Sequence, residues 1–457
     1  MMAAMRRHTL ATRLACSLLM LPCGAPLAGC GRSEAPDRPV PADMSSATPV
    51  PPPIAASAPV SAVAEPASTP AAAAWAVALG GVGSDDLGEL GIDGAGHLYV
   101  AGTVDDALDL GDGPRPAAGA EDIVVARRGP AGEPGWARRF GGPASEATGA
   151  LVMSSAGRPV IAGTMAATLK LGAHELAVHG VGGDLFVAGL DAAGEVRWAR
   201  RIGDEFADLL HGMVATRDGG VALLVLSQIT DRRGVPELER YRSSLIKVDA
   251  DGELAWTAAL DGMVWLARRP LAATPDGGVV VATTVPAGDA GGGPAAGPVS
   301  LKHFAGDGSV AWQRRLPGPC GTSPWLAADP EGGVFLVALA ATMERTMDLG
   351  AGPLDGSALG FAVLARLAPD GAHLWSRVLA RGGLEPVDLV STPTGVALLS
   401  VGDGGAGQTI RRIAATPRVR SPPRAPSLAR MTAIYRSHGR SPWSPAGRHT
   451  TVVRCMT

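Results

Sequence analysis

From about residue 75 to 415 the apolar residues fall in runs of five to seven, each closed by a small polar turn. GWARRFG (135–141), TGALVMS (148–154), RPVIAGT (158–164) and DLFVAGL (184–190) are four such runs in succession. Their length, their Val and Leu content and the Asp, Ser and Gly residues between them predict strands joined as an antiparallel meander. No stretch between them reads as a helix.

The four runs recur. Trp75, Trp136, Trp198, Trp256, Trp312 and Trp375 are spaced by 61, 62, 58, 56 and 63 residues. A Gly stands four positions before every one but the first: Gly132, Gly194, Gly252, Gly308 and Gly371. A second Gly follows each Trp by 20 or 21 residues: Gly96, Gly157, Gly219, Gly277, Gly332 and Gly395. Two marks keeping step over six units imply one supersecondary unit per repeat. In each unit a Gly able to take positive φ closes a hairpin, and the Trp is a large plug packing between neighbouring sheets.

Four-stranded antiparallel sheets repeated without helices predict an all-β fold, a six-bladed β-propeller in which closure protects the sheet edges. The strand at Trp75 lacks a preceding partner in its own unit, and QTIRRIA (408–414) lacks a following one. The expectation is that these two pair, so that the N- and C-terminal strands close the ring in one blade. An open solenoid is the alternative. The links between the first and second and between the third and fourth strands are tight turns on one rim. The other links, among them 103–121, 164–183, 203–210, 261–269 and 317–325, are longer and lie on the opposite rim. Variable loops on a rigid frame are where binding residues concentrate, so the long-loop rim is the candidate functional face.

Several residues fall on that face. Trp265 and Trp325 break the sixty-residue rhythm and are candidates to stack on a sugar or anchor a partner, against the alternative of filling gaps between blades. Arg268 and Arg269 suit a carboxylate or phosphate. Asp85, Asp86, Asp105, Asp106 and Asp109, with Glu146, Asp204, Glu205 and Asp208 in the next units, read as solvated loop acids, with Ca²⁺ as the alternative. Asp249-Ala250-Asp251-Gly252-Glu253 lacks the later ligands of a calcium loop. Gly402-Asp403-Gly404-Gly405-Ala406-Gly407 lacks the helix that a phosphate-binding loop needs. No catalytic or metal-ligating motif stands out, and neither cofactor nor metal is expected.

Composition narrows the class. The chain of 457 residues carries a net charge of −3, which excludes a strong nucleic-acid footprint. Residues 1–29 combine Arg6, Arg7 and Arg13 with a broken apolar run, as an export signal does. That run ends in Leu27-Ala28-Gly29-Cys30, which resembles the lipobox of bacterial lipoproteins. The resemblance implies cleavage before Cys30, acylation of its thiol and durable attachment to a membrane. Gly31, where an Asp would signal inner-membrane retention, implies the outer membrane. Residues 31–74, rich in Pro, Ala and Ser, read with Cys30 as a lipidated tether, 30–74. Residues 416–457 are rich in Arg, Ser and Pro and lack the repeat marks, so a disordered basic tail is expected.

The repeat itself resembles a bacterial β-propeller repeat usually called SBBP. The match runs through LFVAGLDAAGEVRWARRIG and IDGAGHLYVAGTVDDALDLGDG and covers about 75–415. Units three and four depart from it, with VALLVLS and VVVATTV in place of the Val-Ala-Gly-Thr piece. The resemblance implies a fold and hardly any chemistry. The expected function is a monomeric, non-catalytic propeller lipoprotein of the cell envelope that binds a protein or polysaccharide through its long-loop face. An envelope polysaccharide hydrolase or lyase with carboxylates at the channel mouth is the alternative. Acids converging at that mouth would distinguish it.

Overall fold

The computed structural model describes residues 75–79, 85–109, 114–115, 119–180, 182–230, 236–261, 269–284, 297–320, 324–340, 345–356, 361–380, 385–401, 408–414, 432–434 and 451–456. The export signal, Cys30, the tether, Trp265 and Arg268 lie outside them.

Five four-stranded antiparallel sheets follow one another along the chain. The first comprises Asp85–Ile92, Leu98–Val104, Asp122–Arg128 and Pro134–Phe140. The second comprises Glu146–Met153, Pro159–Met165, Asp184–Leu190 and Val196–Ile202. The third runs through Asp208–Ala215, Val221–Thr230, Pro236–Val248 and Leu254–Ala259. The fourth runs through Leu271–Ala273, Val279–Thr284, Gly297–Phe304 and Val310–Cys320. The fifth is Trp325–Ala328, Val334–Leu339, Ala362–Leu367 and His373–Ala380. A sixth sheet has three strands, Glu385–Thr392, Gly395–Val401 and Gln408–Ala414. Strand order follows chain order in every one, as a meander requires.

Second strands and most third strands carry long apolar runs because both of their faces are covered. In the first sheet Leu98, Val100 and Val104 face one buried layer, and Tyr99 and Ala101 face the next. Successive side chains of a strand point to opposite sides, so a strand between two cores reads as a continuous run. Each pair of consecutive sheets has its own apolar layer, from the first and second to the fifth and sixth.

The paired marks of the repeat meet across these layers. Asp191 shows the turn: its Oδ1 accepts from the N–H groups of Ala193 and Glu195, at 2.8 and 2.9 Å, and its main chain bonds Glu195 and Gly194. This is a type I turn with a bulge, and Gly194 takes the left-handed position at φ 82°. Space also demands Gly here, because a Cβ would lie 2.7 Å from Cε3 of Trp136 in the preceding sheet. The Trp136 indole N–H donates to the Ala192 carbonyl at 2.8 Å. The same latch joins Trp75 to Pro130, Trp198 to Ala250, Trp256 to Gly306 and Trp312 to Pro369, at 2.7–3.1 Å. Trp375 lies half-buried in the layer between the fifth and sixth sheets.

The ends depart from expectation. Strand Trp75–Leu79 does not pair with Gln408–Ala414. It pairs antiparallel with Thr451–Met456, from Trp75 opposite Cys455 to Leu79 opposite Thr451, and Thr432–Ile434 completes that three-stranded sheet. The expectation that the first strand pairs with Gln408–Ala414 is corrected on this point. The physical reason is local: Thr451-Val452-Val453 is a β-branched run that suits a strand and stands apart from the Arg and Pro residues around it. Trp75, Val77 and Leu79 still pack on the first sheet as a preceding fourth strand would.

Candidate functional site

The first strands of successive sheets lie side by side, and four of them carry a β-bulge. It falls between Asp86 and Glu89, Thr148 and Ala150, Leu210 and Gly212, and Pro386 and Asp388. A bulge turns a side chain out of the regular alternation and bends its strand. In the first and sixth sheets Glu89 and Asp388 stand on the ladder just past the bulge, opposite Ala101 and Leu399, and in the third His211 is the extra residue.

Charged groups from separate sheets meet there. Arg269, just ahead of the fourth sheet's first strand, places Nε 2.7 Å from Asp388 Oδ1 of the sixth sheet. Its carbonyl accepts from Leu326 N of the fifth sheet at 2.9 Å, which anchors the main chain at this point. Glu89 of the first sheet is close enough to feel Arg269, Asp388 and Asp86, and it accepts a main-chain hydrogen bond from Leu151 of the second sheet. Burial pushes the Glu89 carboxyl above its ordinary range. Arg269 and the Leu151 N–H oppose that shift, while Asp86 and Asp388 add to it. His211 is held below the ordinary imidazole range by burial. Chemically this is a mixed-charge cluster of one guanidinium and three carboxylates, one of them biased toward its neutral form.

Comparison with known proteins adds no chemistry to this geometry. No family model matches the chain, and no curated protein matches it. Solved structures that resemble it include the β-propeller domain of the Trilobed protease from Pyrococcus furiosus. That pair has 11% identity over 73% of this chain and 99% of that one, with a TM-score of 0.33. Sqt1 from Chaetomium thermophilum has 12% identity over 71% and 96%, with a TM-score of 0.33. A Synechocystis apocarotenoid oxygenase mutant has 12% over 75% and 82%, with a TM-score of 0.34. Likeness this faint supports no argument about activity.

The residues singled out from sequence are distributed unevenly. Arg269 is exposed and ion-paired in the cluster, and Asp86, also exposed, stands beside it. Asp85 pairs in register with Val104, next to Asp105 and Asp106, so these acids share one end of the first sheet. Asp106 Oδ1 accepts from Ala107 N at 2.6 Å, and its carbonyl accepts from Arg139 at 2.9 Å. Trp325 is corrected: at 5% exposure it belongs to the layer between the fifth and sixth sheets, where it fills space and presents no ring to a ligand. Glu146 and Asp208, read as solvated, are buried. Among the described residues no group of three or more His, Cys, Asp or Glu could hold a metal ion.

Sequence reasoning missed Glu89 and Asp388, because each sits inside an otherwise ordinary strand. It also missed a set of buried basic side chains at the turn rim, each paired with an acid. Lys247 Nζ, 1% exposed, lies 2.8 Å from Asp218, and Arg366 Nε lies 2.6 Å from Asp329. His303 Nε2 lies 3.7 Å from Asp276. Each basic residue stands five residues before the turn Gly that precedes the repeat Trp, and its acid lies in the turn between the first two strands. That spacing was a readable signal.

Proposed function

We propose that this chain is a lipid-anchored protein of the bacterial outer membrane, with six sheets arranged as the blades of a propeller. Its long-loop face binds a protein or polysaccharide. The observation that carries this reading is the convergence of Glu89, Arg269 and Asp388 from three different sheets, with Arg269 just ahead of its strand on the side of the long connections. Charges from non-adjacent parts of the chain meet in this way when the sheets stand around a common axis. The nearness of Glu89 in the first sheet to Asp388 in the sixth supports an arrangement that returns on itself. A charge cluster at the mouth of such a frame would orient a polar or charged group of the ligand, with surrounding loops supplying contact area.

A glycan array and an envelope pull-down with the full chain test this, repeated with Arg269→Ala and Asp388→Ala. Binding that falls at least tenfold in both variants supports the reading; binding unchanged in both overturns the cluster as its centre.

A second reading rests on Glu89. A carboxyl that burial pushes above its ordinary range, with Asp86 and Asp388 beside it, has the character of a general acid in glycoside cleavage. On this reading the protein is a polysaccharide hydrolase or lyase. Release of new reducing ends or unsaturated products, abolished by Glu89→Gln with binding retained, would establish it over simple binding.

A further inference from the structure

The second sheet breaks a rule that its neighbours keep at the turn rim. Five residues before the turn Gly, the third to fifth sheets carry Lys247, His303 and Arg366, where the second has Gly189. Each of those basic residues meets an acid of the first turn: Asp218, Asp276, and Asp329 with Glu331. The residue after that turn's Gly is itself a Gly in those sheets, Gly220, Gly278 and Gly333. Space requires it at the first two, because a Cβ on Gly220 would lie 2.5 Å from Lys247 Nζ and one on Gly278 2.4 Å from His303 Nε2. In the second sheet that residue is Arg158. Gly189 is opposite Val160 in register, and strand alternation puts Arg158 on the same face as Val160. Arg158 therefore stands on the face where the other sheets hold their basic side chain.

The acid has not followed. The turn Ser154-Ser155-Ala156-Gly157 has Ala156 where Asp218, Asp276 and Glu331 stand, and Ser154 where Asp329 stands. The first sheet sharpens the contrast. It too has a basic residue just after its turn Gly, His97, and Asp93 of the turn holds that ring at 2.9 Å. Ser154, at the position of Asp93, accepts the main-chain N–H of Arg158 at 3.2 Å. Among the described residues the half-buried Arg158 side chain has no hydrogen bond or ion pair. It borders a cleft between the second and third sheets, lined also by Ser154, Gly189 and Trp198, and from the third sheet by Gly219 and Ala250. The two residues from the third sheet bear no charge. Arg197, the extra residue at the bulge opposite Gly189 and Leu190, is exposed and lines the same cleft, again without an ion pair among the described residues. A guanidinium partly withdrawn from water gains most from an anion, and its planar fork of donors matches the two oxygens of a carboxylate.

We infer that this cleft binds an acidic side chain, Asp or Glu, of a protein partner, with Arg158 as the principal donor and Arg197 beside it. The partner supplies from outside the carboxylate that Asp93, Asp218, Asp276 and Asp329 supply within the other sheets. In each of those the carboxylate arrives on the short stem of an Asp held in a tight turn, so the cleft suits an acid displayed on a loop of the partner. The site lies at the turn rim and does not depend on the cluster of Glu89, Arg269 and Asp388.

The test uses the full chain and a short fluorescein-labelled peptide of alternating Asp and Gly, followed by anisotropy at low salt, with the matching Asn–Gly peptide as control. The Asp peptide should bind and the Asn peptide should not. Arg158→Gln should weaken binding by about tenfold, as loss of a charge-assisted hydrogen bond implies, and Arg197→Gln by a smaller factor. Ala156→Asp restores the internal carboxylate of the neighbouring sheets, so it should weaken binding as much as Arg158→Gln does and also raise Tm. Arg269→Ala should leave binding unchanged. Failure of the Asp peptide to bind, or equal binding by the unaltered protein, Arg158→Gln and Ala156→Asp, would overturn the inference. So would displacement of the probe by inorganic phosphate or trigalacturonate at a lower concentration than by the unlabelled Asp peptide, since the site would then belong to a phosphate or an acidic sugar.

Discussion

The contact between an indole and a glycine explains why the two marks of the repeat travel together. Gly194 is needed twice over, by its left-handed φ and by the Trp136 ring lying where a side chain would begin. Gly194→Ala should therefore cost about 2–4 kcal/mol, from backbone strain and overpacking combined. In a Trp136→Ala background the cost should be smaller, because the ring it strikes is gone. Urea denaturation of the four proteins in a double-mutant cycle measures that coupling. Another residue-scale consequence concerns pH. Burial holds His303 below the ordinary imidazole range, with Asp276 only partly offsetting it. Its folded value lies below its unfolded value of about 6.5. Its contribution to stability is therefore present above pH 6.5 and is lost as pH falls through the folded value. His303→Gln should lose less stability than the unaltered protein between pH 7.5 and 5.5. His211, shifted in the same direction, keeps the remaining slope from vanishing.

At the scale of the strand, burial on both faces separates the inner from the outer members of each sheet. Second and third strands such as Leu98–Val104 and Asp184–Leu190 are almost wholly buried, whereas fourth strands leave Leu254, Val310 and Leu374 about half exposed. The first strand is the variable one, since its bulges shift the register just before Glu89 and Asp388 and leave His211 out of the ladder. Trp325, on the first strand of the fifth sheet, belongs with the packing residues. Trp325→Ala should destabilise by about 3–5 kcal/mol in chemical denaturation. Ligand binding, measured below the unfolding transition, should survive that change. The turn-rim ion pairs also act at this scale. Asp218→Ala would leave Lys247 buried without its carboxylate, at a cost of about 3 kcal/mol. Replacing both together, with Lys247→Met, should recover most of it.

For the molecule as a whole, the ends of the chain set the question. Val77 and Val453 are opposite each other in the sheet that joins Trp75–Leu79 to Thr451–Met456. A Val77→Cys, Val453→Cys variant should form a cross-link under mild oxidation, detected by mobility on a denaturing gel. Val77→Cys with Arg412→Cys should not. The charged cluster also draws on distant parts of the chain, because Arg269 and Asp388 come from the fourth and sixth sheets and Glu89 from the first. Glu89 is raised by burial, so its charge is disfavoured in the folded state once pH exceeds its folded value. Above that point Glu89→Gln should be the more stable protein.

The sequence by itself determined the strands, their grouping in fours and the hairpin turns, because these depend on short-range chemistry. Asp191 caps its own turn through neighbouring N–H groups, and an apolar run such as LYVAG states that both faces of its strand are covered. The indole rhythm likewise announced one equivalent contact per unit. Only the tertiary structure decided which charged residues meet. Arg269 and Asp388 are separated by more than a hundred residues, and nothing near either one encodes the other. Tertiary packing also decided that Trp325 turns inward, that Glu146 and Asp208 are buried beside partner acids, and that the first strand pairs with Thr451–Met456. In each case the outcome depends on which distant surface arrives to cover the residue, and local sequence carries no record of that.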